Sequence, residues 1–132
     1  MTSAERRSIN VESFGHVNPI PAASRIGNLL MSSVISGRDP ASGTMPPSIE
    51  EQCAQMFRVV RSIVEAAGGT PANIVKMTVW LRDPGNRDAL NSEWLKMFPD
   101  AASRPARHTL PLTGSGDSLV QCDITAVFEP AP

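Results

Sequence analysis

Residues 48–81 read SIEEQCAQMFRVVRSIVEAAGGTPANIVKMTVWL, and the change of hydrophobic period inside this stretch decides the fold class. Ser48-Ile49-Glu50-Glu51 has the form of a capping box, in which the Ser hydroxyl accepts from a free backbone N–H and Glu51 reaches back to the cap. From there Ile49, Cys53, Met56, Phe57, Val60, Ile63, Val64 and Ala67 recur at spacings of three and four, one apolar stripe on a helix. Gly68 and Gly69 end it, because glycine accepts the left-handed conformation of a helix C-terminus. The period then drops to two. Ile74 to Leu81 is β-branched and alternating, and the alternation predicts a strand with Val75, Met77, Val79 and Leu81 pointing one way.

Upstream, Pro19, Pro21, Pro40, Pro46 and Pro47 disfavour helix and favour short strands joined by turns. Leu29 to Ile35 is a strand candidate after a Gly27-Asn28 turn, and Asp39 to Gly43 has turn chemistry throughout. Downstream, Leu90, Trp94, Met97 and Phe98 share one face of a second helix, with Asn86 as cap and Pro99 beyond its end. An extended piece over Ala106 to Leu110 follows, then a last strand, Leu119 to Phe128. In that strand Val120, Cys122, Ile124, Ala126 and Phe128 alternate with Leu119, Gln121, Asp123, Thr125 and Val127.

Strands alternating with helices of this length imply crossover connections, hence an α/β (α+β) single domain with a mixed sheet and two helices on one face. The other face is left bare. Ile74, Thr78 and Trp80 are expected there, too apolar to be left in water, so self-association through that face is predicted, in a closed symmetric form.

At 132 residues the chain fits one domain with one core. The 12 Lys and Arg nearly cancel the 13 Asp and Glu, so no field draws a polyanion, and nucleic acid is not an expected partner. No apolar run is long enough to cross a membrane, and the start has no apolar stretch behind its charges, so a soluble cytoplasmic protein is expected. Cys53 and Cys122 lie far apart, without Cys-x-x-Cys or paired His, and both fall on core positions; neither a metal nor a cofactor is expected.

The chain resembles the Rid/YjgF family, also catalogued as L-PSP proteins, from about residue 20 to 127. The landmarks are Ile26-Gly27-Asn28, the Asp39-to-Gly43 turn, Glu50-Glu51-Gln52, Glu65-Ala66-Ala67-Gly68, Ile74-Val75-Lys76 with Thr78-Val79, Asn91, and Arg104-Pro105-Ala106-Arg107. Each fragment is weak alone; their order and spacing are specific. The resemblance implies a chorismate-mutase-like subunit, a homotrimer with clefts between subunits, and hydrolysis of imines and enamines such as 2-aminoacrylate to a keto acid and ammonia.

By the same resemblance, Arg107 is the signature arginine that holds the substrate carboxylate, a role suited to a planar fork of donors. The blander reading is an arginine in an interface ion pair. Gln121 stands where typical deaminases carry a glutamate that orients or activates water; a carboxamide can hold a water but has no basic form. The family's early aromatic aligns with Ile20, its Ser-Gly pair with Ser33-Val34, and a frequent Cys or Ser with Thr109. Val34 at a glycine position reshapes the cleft. Asn91 matches an asparagine that approaches the neighbouring cleft, or else is a helix residue bonding a loop. His16, in a loop before the first matched strand, is a candidate for the missing base or a solvated loop residue. His108 points away from Arg107 if that segment is extended.

Two functions follow. One is a deaminase of small carboxylate-bearing imines and enamines, with Arg107 as anchor and water held by Gln121, with Thr109 or Ser33 as further candidates. The alternative is a trimer that binds small carboxylates with little or no catalysis. RNA cleavage, attached to some members of the family, finds no support in a near-neutral chain without a basic patch.

Overall fold

A computed structural model describes residues 5–129. The elements are β1 (Arg7–Ile9), β2 (Ala23–Ile26), β3 (Leu29–Ser32), β4 (Ile35–Ser36), α1 (Ile49–Ala66), β5 (Ile74–Leu81), α2 (Arg87–Met97), β6 (Ala106–Pro111) and β7 (Val120–Val127). The sheet runs β1-β2-β3-β7-β5-β6, with β4 continuing beside β7 where β3 leaves it. Only the β5–β6 pair is parallel. The sheet is therefore mixed, as expected. α1 connects β4 to β5 across β7, α2 connects β5 to β6, and the two helices pack on each other over one face.

The α1 stripe is buried as its spacing predicts, and Ser48 caps it by accepting from the Glu51 N–H at 3.1 Å. The reciprocal half of a capping box occurs elsewhere, at the Thr70–Asn73 turn that leads into β5. Gly68 adopts φ +92°, and a Cβ on Gly69 would stand 2.2 Å from the Phe128 ring, so the exit from α1 needs both glycines. Asn86 precedes α2 but makes no capping bond with its side chain; Asp83 instead accepts from the Gly85 N–H in the turn before the helix. Cys53 and Cys122 are free and fully buried in the core.

The alternation expected of β5 and the continuity expected of Leu29 to Ile35 each break at a bulge. Between Ile74 and Lys76 the pairing of β5 with β7 skips a residue, so Ile74 is buried and Val75 is 52% exposed, the reverse of the expected faces. The Leu29-to-Ile35 strand is two strands. Leu30 pairs with Ala126 and Ile35 with Cys122, a slip of one residue, and the Ser32 hydroxyl accepts the Ile124 N–H across the gap. The slip keeps Leu30 and Ile35 buried and turns Val34 outward, 47% exposed.

The face opposite the helices carries Met31, Lys76, Thr78, Trp80, His108, Leu110, Gln121, Asp123 and Thr125, by strand register. Met31 and Leu110 are exposed there and Trp80 is only half-buried. No helix among the described residues is long and apolar enough to cross a membrane.

Candidate functional site

The predicted site residues fall into two groups on opposite faces of the sheet. Met77, in the core, pairs with Arg107 on β6 and Ile124 on β7, so the Arg107 side chain leaves on the helix side. Trp80 pairs with Leu110 and Gln121, which places Gln121 on the bare face. One chain does not bring the two together.

The first group surrounds a cleft of about 530 Å³ lined by Phe14, His16, Val34, Ser36, Arg38 and Gln121, with the loop from Ser115 to Ser118 as one wall. Val34 reaches it because of the bulge after β3. The half-buried Gln121 amide has no hydrogen-bond partner among the described residues, leaving its carbonyl and amino group open to a water or ligand. His16 stacks on Phe14, ring centroids 6.1 Å apart, and its Nδ1 accepts the Asn18 N–H at 3.0 Å. A neutral imidazole held this way carries its proton on Nε2. With Nδ1 taken, Nε2 is the ring nitrogen left to face the cleft and solvent.

Two residues that the sequence did not single out shape this cleft. Gln52, buried on α1, donates to the carbonyls of Pro46 (2.7 Å) and Asp117 (3.2 Å) and accepts the Leu119 N–H (2.8 Å). One amide therefore ties the helix to the cleft wall and to the approach to Gln121. Arg38 donates to the Gly43 carbonyl at 3.1 Å and pairs with Asp117 at 3.4 Å in an exposed salt bridge. Their only sequence signal was Gln52's place in the Glu50-Glu51-Gln52 landmark.

The second group lies where edge strand β6 meets α2. The Arg107 guanidinium sits over the Trp94 ring, 4.9 Å from its centroid, and its buried Nη1 has no partner among the described residues. Burial, and then the like charge of Arg87, lower its pKa from the usual arginine value. Among the described residues no acid offsets either effect. Arg104, three residues earlier, is committed differently: it donates to the Phe98 and Pro99 carbonyls and holds the exit from α2. Thr109 follows Arg107 on the same side of β6, and Asn91 lies one turn before Trp94 on α2. His108 is exposed on the other side of the strand, as its alternation predicts.

Ile20 and Ser33 join neither group. Ile20 is 44% exposed in the loop before β2, and the Ser33 hydroxyl donates to the Pro21 carbonyl at 2.7 Å, a tie that fixes the bulge. The cysteines offer no nucleophile: burial, then Glu93 and Glu50, push the Cys53 thiol up to about 12, and burial foremost also raises Cys122.

A mixed sheet with one helical face, a cleft that holds an uncommitted amide and a partly desolvated arginine at its edge defines a small α+β domain with two candidate binding regions. The chain belongs to the family described as Endoribonuclease L-PSP, whose model matches residues 12–127, the Rid/YjgF family that the sequence landmarks indicate. It is 36% identical over 84 residues to a RutC family protein of Haemophilus influenzae, a match covering 64% of this chain and 65% of that relative. It is 30% identical over 92 residues to the 2-iminobutanoate/2-iminopropanoate deaminase of Escherichia coli, covering 69% of this chain and 72% of that enzyme. The crystal structure of the E. coli YjgF gene product superposes with a TM-score of 0.84 at 25% identity, over 93% of this chain and 99% of that one.

Proposed function

We propose that this protein hydrolyses small carboxylate-bearing imines and enamines in the cytoplasm, at sites between like chains in a homotrimer. The observation that carries the reading is Arg107, a guanidinium with a buried, unpartnered Nη1 and no acid beside it. Such a group is stabilised by an incoming carboxylate, which accepts two parallel N–H bonds from the fork. The relative named as a 2-iminobutanoate/2-iminopropanoate deaminase supports the same chemistry. A seam pairing the β6 edge of one copy with the open face of the next would set Arg107 opposite Gln121, and the apolar side chains on that face favour its burial. The two free, buried cysteines suit a reducing compartment.

Arg107, seated on the Trp94 ring, holds the substrate by its acid group, and the Gln121 amide orients a water toward the imine carbon. Solvent first protonates the imine at nitrogen, or the enamine at carbon, giving the iminium; the water oxygen adds to its carbon while the C=N pair moves to nitrogen, and solvent takes the water's proton. The carbinolamine then expels ammonia as its hydroxyl becomes the keto group. Gln121 cannot take the proton itself, which costs about 10²- to 10⁴-fold against a general base. His16, with its proton on Nε2, offers a hydrogen bond to substrate from the cleft side.

The test supplies an enamine generated in situ and follows keto-acid release against buffer. Wild type is expected to exceed buffer, and Gln121→Glu to exceed wild type by about 10²-fold as a base is restored. A second reading, a carboxylate-binding trimer without turnover, is favoured by Gln121 itself. It replaces the first if neither protein accelerates release while carboxylate binding persists.

A further inference from the structure

Arg87 opens α2, and Arg87, Asn91 and Trp94 are spaced by four and then three residues. This spacing puts them on one side of the helix, one above another. Trp94 at the end of that row carries the Arg107 guanidinium on its ring. Arg87 is exposed and has no salt bridge or side-chain hydrogen bond among the described residues; the neighbouring Asp88 follows it directly and so faces another way. The row thus runs from an exposed guanidinium, Arg87, to the ring under a partly desolvated one, Arg107, and neither pairs with a carboxylate among the described residues. Arg104 shows that an arginine here can be satisfied by main-chain carbonyls, and neither Arg87 nor Arg107 is.

Like charges so arranged repel, and a ligand with one acid group relieves only part of the repulsion. We propose that Arg87 is a specificity residue of the Arg107 site and that the site takes dicarboxylates, one acid group on Arg107 and the second reaching Arg87. The substrates would then be 2-imino or enamine derivatives of dicarboxylic acids, not of short monocarboxylic ones. This rests on Arg107 being the carboxylate anchor of the proposed function, and it extends that reading to the far end of the ligand. Asn91, between the two arginines, can donate its amide to the same ligand.

The experiment measures binding of succinate and of butyrate, equal in carbon number, to the intact protein by calorimetry at fixed ionic strength. Succinate is expected to bind about tenfold more tightly, the low end for a charge-assisted bond that remains in contact with water. In Arg87→Gln the ratio is expected to fall to about one, in Arg87→Lys to recover in part, and in Arg61→Gln, a charge control on α1 whose guanidinium pairs with Glu65, to stay at the wild-type value. Equal binding of the two acids by wild type, or a preference that survives Arg87→Gln, overturns the proposal. Because the ratio needs no turnover, its failure is separable from that of deamination. A protein that prefers succinate but hydrolyses no imine keeps this inference and loses the enzymatic reading. One that hydrolyses imines yet binds both acids alike loses only this one.

Discussion

The cleft on the open face and the β6 edge both hold arginine near polar side chains, yet the two arginines stand in opposite states of satisfaction. In the cleft, Arg38 has Asp117 and the Gly43 carbonyl, His16 has the Asn18 N–H, and Gln52 makes three bonds that fix the wall. At the edge, Arg107 has an aromatic ring beneath it, a like charge beside it and no acceptor for its buried Nη1 among the described residues. A buried donor without a partner is costly; under the proposed function the partner of Arg107 is the ligand's carboxylate, while the buried hydroxyls of Ser13 and Ser118 at the cleft, also unpartnered among the described residues, are open to a water or ligand. The cleft thus supplies shape and an uncommitted amide, Gln121, while the edge supplies demand for an anion. Neither is a complete site, because the sheet lies between them.

Mixing two disabled proteins puts that division at risk directly. Arg107→Ala damages only the edge and Gln121→Leu only the cleft, so each alone is expected to be inactive toward the in situ enamine. Refolded together in equal amounts, they should regain about a quarter of wild-type activity, the fraction of seams in a random closed ring that join an intact edge to an intact cleft. Activity that stays at the level of the separate variants would mean that the two regions do not meet across a seam.

Arg107→Ala carries the next largest effect. Loss of a bidentate, partly desolvated contact should weaken carboxylate binding by about 100-fold or more, while sedimentation shows the assembly unchanged. Arg104→Ala sharpens the contrast. Its guanidinium holds main-chain carbonyls, so it should lower stability and leave carboxylate affinity nearly intact. If the two variants behaved alike, the difference between a committed and an uncommitted arginine would have no functional content.

Much of this architecture is legible in the chain because two of its elements carry their period on their surface. The stripe from Ile49 to Ala67 and the alternation from Val120 to Phe128 are both buried where the pattern puts them. The misassigned positions, Ile74 and Val75, are those whose direction depends on a bulge, and a bulge belongs to a pair of strands and not to either alone. Arg107 is legible by its motif, but its seat on Trp94 joins β6 to α2 through tertiary packing. Arg87 carries a fainter signal: its spacing to Asn91 and Trp94 is readable, yet it acquires meaning only once Trp94 is seen beneath Arg107. Gln52 looks like any polar residue opening a helix until two loops converge on it.

Gln52 gives the smallest effect and tests the other half of the contrast, that the cleft is held from within. Gln52→Leu keeps the volume but leaves the Leu119 N–H and the Pro46 and Asp117 carbonyls without their partner. Those groups lie where α1 meets the cleft wall, and leaving them unsatisfied should cost about 3 kcal/mol in denaturant unfolding, partly offset by the apolar side chain. Gln55→Leu, one helical turn along and bonded only to Arg58, should cost less than about 0.5 kcal/mol. Because Leu119 leads into β7 two residues before Gln121, loosening the wall should also raise KM for the enamine while Arg107 keeps its grip on the acid group. Equal stability of the two variants would show that the wall stands without Gln52, and that the cleft is no more self-sufficient than the edge.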